Sequence, residues 1–215
     1  VFLILHIERD TPMLLLCSNG LSGLELIEQI SPAVKGCVTA ALIVTADPIY
    51  KENNYHVPRC RKELESLGLE VTILDLDIHP VNDLLLYDVV EFIGGNPFYL
   101  LDTLRKQNAA TILKEISSRK ILIGWSASAF VFGPSLELVN LYSPEMNYMN
   151  LTDLTGLSLS SIEVLPHYSR FLSKFQNFEE TCKAYEKEHS VTVFRLNDGD
   201  GIFVDNGIVE LCRSY

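Results

Sequence analysis

Lys120-Ile121-Leu122-Ile123-Gly124-Trp125-Ser126-Ala127-Ser128-Ala129-Phe130-Val131-Phe132 joins two apolar runs through a corner of small residues. The first run, Lys120–Gly124, reads as a buried strand, and the second reads as a helix. A serine at that corner stands where a nucleophile elbow holds a hydroxyl above the end of a sheet. Gly124, Ala127 and Ser128 are small enough for the backbone to approach both strand and helix. The pattern G-x-S-x-G is completed except at its last position, where Ser128 replaces glycine. The same residues also fit an ordinary strand-to-helix turn with Ser126 as N-cap.

Outward from this corner, apolar runs alternate with helical periodicity. Met13–Cys17, Thr39–Thr45, Glu70–Leu74 and Val89–Ile93 read as strands. Leu21–Ile30, Tyr55–Leu67, Phe98–Arg105 and Ala109–Ser117 read as helices, and Gly68 stops the second of them. Strands apolar on both faces, separated by helices, predict a parallel sheet covered on both sides. The expected architecture is a doubly wound, mostly parallel α/β fold. After Gly133-Pro134 the pattern changes. Ser135–Thr155 is irregular, Ser158–Leu165 is strand-like and Phe175–Glu188 is helical. Val191–Leu196 and Gly201–Val204 are strands, and Asn206-Gly207 predicts a hairpin into Ile208–Cys212. Residues 13–215 are expected to form one domain. Residues 1–12, an apolar run broken by Glu8-Arg9-Asp10-Thr11-Pro12, are expected to be a leader outside the core. They lack the basic start and cleavage site of a signal peptide.

The net charge of −11 argues against nucleic acid and against an anionic membrane surface, both of which call for Lys and Arg. Five dispersed cysteines without a C-x-x-C pair suggest neither a disulfide framework nor a zinc site and fit a reducing cytoplasm. No metal or other cofactor is expected. The protein is expected to act on a small peptide as a monomer or homodimer.

A serine nucleophile needs a base, and imidazole is the usual one. Of the five histidines, His167 alone follows an apolar strand after the nucleophile, through Pro166. The carboxylate that would orient it belongs to Leu196-Asn197-Asp198-Gly199-Asp200-Gly201, where Asp198 and Asp200 are both available. That stretch also reads as a plain polar turn. Oxyanion donors are expected from the amide of Ala127 and from Gly94-Gly95-Asn96, where absent side chains let a backbone N–H approach substrate.

Taken in order, Ile93-Gly94-Gly95-Asn96-Pro97-Phe98-Tyr99-Leu100, Gly124-Trp125-Ser126-Ala127, Pro166-His167-Tyr168 and Leu196-Asn197-Asp198-Gly199 resemble peptidase family S51. Leu14-Leu15-Leu16-Cys17-Ser18-Asn19 is similar to that family's first strand. The resemblance covers Met13 to Cys212. It implies a flavodoxin-like, class I glutamine-amidotransferase-like fold and a serine peptidase of dipeptides. Ser126 would be the nucleophile, His167 the base and Asp198 the acid, with Asp200 as second choice. Gly95 and Ala127 would supply the oxyanion amides, with Gly94 and Asn96 beside them. The family's aspartyl dipeptidases carry substrate-binding arginines after the histidine. The matching stretch here, Phe175–Lys183, has none, and only Arg170 and Lys174 are nearby, so selectivity for a leading Asp does not carry over. A cyanophycinase-like or other small-amide hydrolase is an alternative. So is a degenerate family member that binds a small ligand, and a nucleotide site at Gly94-Gly95-Asn96 is a weaker one.

Overall fold

The computed structural model describes residues 13–205 and 208–214. The expected leader at 1–12 and the turn at Asn206-Gly207 lie outside them. The main sheet has seven strands in the order β3-β2-β4-β5-β1-β8-β9. These are β1 (Met13–Cys17), β2 (Thr39–Ile43), β3 (Glu70–Leu74), β4 (Val89–Phe92), β5 (Ile121–Trp125), β8 (Gly201–Asp205) and β9 (Ile208–Cys212). The first five are parallel. Strands β8 and β9 add an antiparallel ribbon beside β1.

Both faces of the sheet are covered, which is why the inner strands read as unbroken apolar runs. Alternate residues of one strand face opposite sides. Leu14 and Leu16 of β1 enter one half-core, with Val90 and Phe92 of β4. That half is closed by α3 (Pro97–Lys106), α4 (Ala110–Arg119), α5 (Ala127–Phe132), α6 (Glu137–Tyr142) and α8 (Phe178–His189). Met13, Leu15 and Cys17 enter the other half-core, with Val89 and Ile93, under α1 (Leu24–Val34) and α2 (Val57–Ser66). Each fully buried Leu, Ile or Phe contributes about 1.5–3 kcal/mol, so this two-sided packing is the main support of the sheet. The doubly wound, flavodoxin-like class read from the sequence is the one observed.

Ser135–Thr155, expected to be irregular, carries α6, and two further segments differ from expectation. Only Glu163–Leu165 of the strand-like Ser158–Leu165 is a strand (β6). The donors before it turn elsewhere: Leu157 N–H bonds Val131 O, Ser158 N–H bonds Gly133 O and Leu159 N–H bonds Phe132 O. They close the carboxyl end of α5, whose last carbonyls have no intrahelical partner. The second difference is a helix, α7 (Tyr168–Lys174), before α8. Asn177, in the left-handed region at φ 54°, precedes α8 and separates it from α7.

Strand β6 pairs in parallel with β7 (Val193–Arg195), forming a separate two-stranded sheet. Leu165 is opposite Arg195. A parallel pair sends both chains out at the same end, so Pro166-His167 and Asn197-Asp198 emerge side by side. This small sheet brings His167 and Asp198 to one place.

Candidate active site

The site lies beyond the carboxyl ends of β1, β4 and β5, where ligands of open α/β sheets bind. Strand β5 runs between the other two, so Ser126 emerges flanked by Ser18 and by Gly94-Gly95. Ser126 sits at φ 53°, ψ −113°, and its side chain makes no cap bond to α5. The N-cap alternative therefore does not describe it. A non-glycine residue held in a sparsely populated conformation costs roughly 1–3 kcal/mol and persists only when its surroundings over-determine it. Here the Ser126 amide donates to Cys17 O at 3.1 Å. Its hydroxyl lies 2.9 Å from His167 Nε2.

His167 is left-handed too, at φ 56°, ψ 31°, as it turns from β6 into α7. It is 7% exposed. Its Nδ1 is 2.5 Å from Asp198 Oδ1. The hydrogen bond from His167 holds the Asp198 carboxyl below the usual range against a partial burial that raises it. An ionised Asp198 can keep the Nδ1 proton in place and leave Nε2 free to accept from the serine.

Asp200 has a different place. It is 2% exposed and accepts from Asn197 N–H at 2.9 Å, Ser214 N–H at 3.0 Å and Arg213 Nη1 at 2.7 Å. These bonds build the loop that carries Asp198 and tie it to the residues after β9. Of the two aspartates left open by the sequence, Asp198 is the one that reaches the imidazole.

Gly95 has φ 154°, and a Cβ there would lie 2.2 Å from Ala46 O. A Cβ on Gly94 would lie 2.5 Å from the Trp125 ring. Both glycines are thus required by close packing beside the elbow. Ala127 opens α5, so its amide is one of the first-turn donors with no intrahelical acceptor. Asn96 departs from the expected role. Its N–H donates to Ala46 O at 2.7 Å, and its side-chain oxygen caps α3 by accepting from Phe98 N–H and Tyr99 N–H. Its Nδ2 donates to Met146 O. With these groups engaged inside the fold, Asn96 is a helix cap rather than a donor to substrate.

Ser128, the departure from the elbow pattern, is fully buried. Its hydroxyl donates to Ile93 O at 2.7 Å, so it pins α5 to the end of β4 instead of crowding the turn. Ser128→Ala should lower stability by about 1–2 kcal/mol, read as a shift in denaturant midpoint at constant m-value.

One residue of the site had no role in the sequence reading. Ser18, fully buried after β1, donates to Asp198 Oδ1 at 3.0 Å and accepts from His167 N–H at 2.9 Å. One hydroxyl thus ties the backbone of the histidine to the carboxylate that faces its ring. Its sequence signals were its position at the end of a strand and its place in Leu14–Asn19, the segment similar to the family's first strand. Ser18→Ala should lower kcat about 10–100-fold with little change in KM. The pH at which the Asp198 carboxylate takes up a proton should move upward, because it loses a bond that holds its carboxyl low. Ser18→Thr should recover part of the loss.

Around the rim, the edge of His56 meets Trp125, with centroids 5.1 Å apart, and Arg59 lies over the same indole at 5.7 Å. Burial and the Arg59 charge depress His56 below its usual range. Arg170 stacks on Phe171 at 5.7 Å and is close enough to help lower the Asp198 carboxyl. No described helix is long and apolar enough to cross a membrane.

The fold is shared with known peptidases. The uncharacterized peptidase Lmo0363 of Listeria monocytogenes is 33% identical over 173 residues, 77% of this chain and 82% of the relative. Peptidase E of Escherichia coli O6:K15:H31 is 25% identical over 204 residues, 91% of this chain and 87% of the relative. The crystal structure of a candidate peptidase E protein from Listeria monocytogenes EGD-e superposes with a TM-score of 0.77 at 28% identity, covering 95% of this chain and 100% of that one. A peptidase from an acI-B1 actinobacterium shares the fold, with a TM-score of 0.66 at 18% identity and 95% of each chain covered. The sequence profile of peptidase family S51 matches residues 13–212, and on a match of that extent the chain belongs to peptidase family S51.

Proposed function

We propose that the protein is a serine peptidase of dipeptides or very small peptides, working through Ser126, His167 and Asp198. The observation that carries this reading is the continuous line from Ser126 Oγ through His167 to Asp198, with contacts of 2.9 and 2.5 Å. In this mechanism His167 Nε2 takes the Ser126 proton as the hydroxyl oxygen attacks the scissile carbonyl carbon. The developing oxyanion is met by the amides of Ala127 and Gly95. The imidazolium, steadied by Asp198, then gives its proton to the leaving amine as the C–N bond breaks. Water repeats the sequence on the acyl-serine.

Small substrates suit a site set among short loops at the end of a sheet. Arg170, beside the acid, offers a cation to the carboxylate that every dipeptide carries. Kinship with peptidase E supports hydrolysis of peptide bonds. The test is a panel of free dipeptides led by Asp, Glu, Arg and neutral residues, run on wild type and Ser126→Ala together. Cleavage that depends on Ser126 supports the reading, and the best leading residue sets the selectivity. Absence of cleavage across the panel, with no fluorophosphonate labelling of Ser126, would sink it.

A further inference from the structure

Behind the elbow, on the face of the sheet under α2, three groups meet that the proposed mechanism does not use. Glu91 stands in the middle of β4, where Leu42 and Ile123 are its neighbours across the sheet. It is fully buried in the apolar half-core beneath α2. Cys60 and Glu63 lie three residues apart on α2, a spacing that puts both on one helical face. The Cys60 sulfur and one carboxylate oxygen from each glutamate lie within 4.8 Å of one another.

The hydrogen bonding of the two carboxylates has a common pattern. Glu91 Oε1 accepts from Trp125 Nε1 at 3.0 Å, and Glu63 Oε1 accepts from Arg59 Nη1 at 2.6 Å. The other oxygen of each, Glu91 Oε2 and Glu63 Oε2, is buried without a hydrogen-bond partner among the described residues. Buried polar atoms are almost always satisfied. The Cys60 thiol approaches Glu91 and the Leu21 amide approaches Glu63, but neither makes a hydrogen bond to these two oxygens, and two such atoms in one cluster suit a shared cation. Each carboxylate is thus oriented by an outer donor on one oxygen and has its second oxygen available, as metal-ligating carboxylates are.

We propose that Cys60, Glu63 and Glu91 form a binding site for a divalent transition-metal ion of the zinc class. A thiolate with two carboxylates suits such a borderline-soft ion better than magnesium or calcium, which favour oxygen alone. Around one zinc, ligand atoms stand roughly 3.3–3.8 Å apart, given bonds of about 2.0–2.3 Å. The observed separations, no more than 4.8 Å, lie within about 1.5 Å of that range. Charge agrees as well: with Arg59 beside them, three ionised ligands carry a net excess of two negative charges, which one divalent cation neutralises. An open cleft of about 510 Å³ beside α2, lined by Ile27, Tyr55, Arg59, Lys62 and Glu63, reaches one of the three residues, Glu63. Spacing in the sequence does not reveal the site, because Glu91 joins the other two only through the sheet.

The molecule carries its own reporter. Trp125 is its single tryptophan, it donates to Glu91, and the next residue is Ser126. Zn²⁺ titrated into the full chain should change Trp125 fluorescence saturably at one equivalent. Co²⁺ should give a thiolate-to-cobalt absorption band in the near ultraviolet. Glu91→Gln and Cys60→Ser, checked for native circular dichroism, should each weaken binding more than about 100-fold, beyond the roughly 10–100-fold of an outer-shell change. Glu63→Gln, near the surface, serves where a core variant does not fold. Three results would overturn the proposal: no saturable metal binding, a wild-type cobalt spectrum without the thiolate band, or affinity unchanged in the variants. A fluorescence change with pH alone and none with metal would leave a shared proton between the two glutamates, which also overturns it. These readouts do not depend on peptidase activity, so the site and the mechanism can fail separately.

Discussion

Ser126→Ala should lower kcat/KM by about 10⁴–10⁶-fold while leaving the fold intact. The alanine removes the one oxygen that lies 2.9 Å from His167 Nε2 and changes little else, because the Ser126 side chain makes no cap bond to α5. The strained backbone at φ 53° is held from outside, by the bond from the Ser126 amide to Cys17 O. The variant should therefore melt within a degree or two of wild type and bind dipeptide with similar affinity. Burst kinetics and fluorophosphonate labelling should vanish together. Near-wild-type turnover in a preparation free of host peptidases would end the serine mechanism.

Asp198→Asn should have nearly as large an effect, about 10⁴-fold on kcat/KM. An amide in that place can present its NH₂ to Nδ1, which turns the proton of the imidazole onto Nε2, where it blocks acceptance from Ser126. The instructive control is Asp200→Asn. Asp200 is more deeply buried than Asp198 and accepts from two backbone amides and Arg213, but it does not touch His167. Its amide variant should cost about 1–3 kcal/mol of stability and change kcat/KM less than tenfold. Measuring both variants by steady-state kinetics and denaturant unfolding separates acid from scaffold. A larger kinetic loss at Asp200 than at Asp198 would reverse the assignment.

Two neighbouring aspartates in Asn197-Asp198-Gly199-Asp200 show where reading by residue type stops. Both are acidic, both are in one turn, and both follow the same strand. The difference lies in the direction of each side chain: Asp200 meets Arg213, 13 positions away, and Asp198 meets His167, 31 positions away. Ser18 was hidden for the same reason. Its role spans 180 residues to Asp198 and 149 to His167, and local pattern holds no trace of such a span. Glu91 did leave a signal, as a lone acid in the apolar run Val89-Val90-Glu91-Phe92-Ile93. A strand apolar on both faces tolerates a carboxyl only where something receives it.

What the sequence by itself determined is whatever depends on neighbours within a few positions. The alternation of apolar strands and amphipathic helices dictated a two-sided parallel sheet, and the boundaries of Glu70–Leu74 and Ile208–Cys212 follow from it. The small residues of Gly124–Ser128 and Gly94-Gly95 marked the two turns that the close backbone approaches require. Tertiary structure decided the rest. Residues 158 and 159 left the expected strand because the carbonyls ending α5 took their donors. His167 and Asp198 came together because β6 and β7 pair in parallel, away from the main sheet. Pairing of strands, like the bond from Ser18, is a contact between segments distant in sequence, so it is specified only when the whole core is assembled.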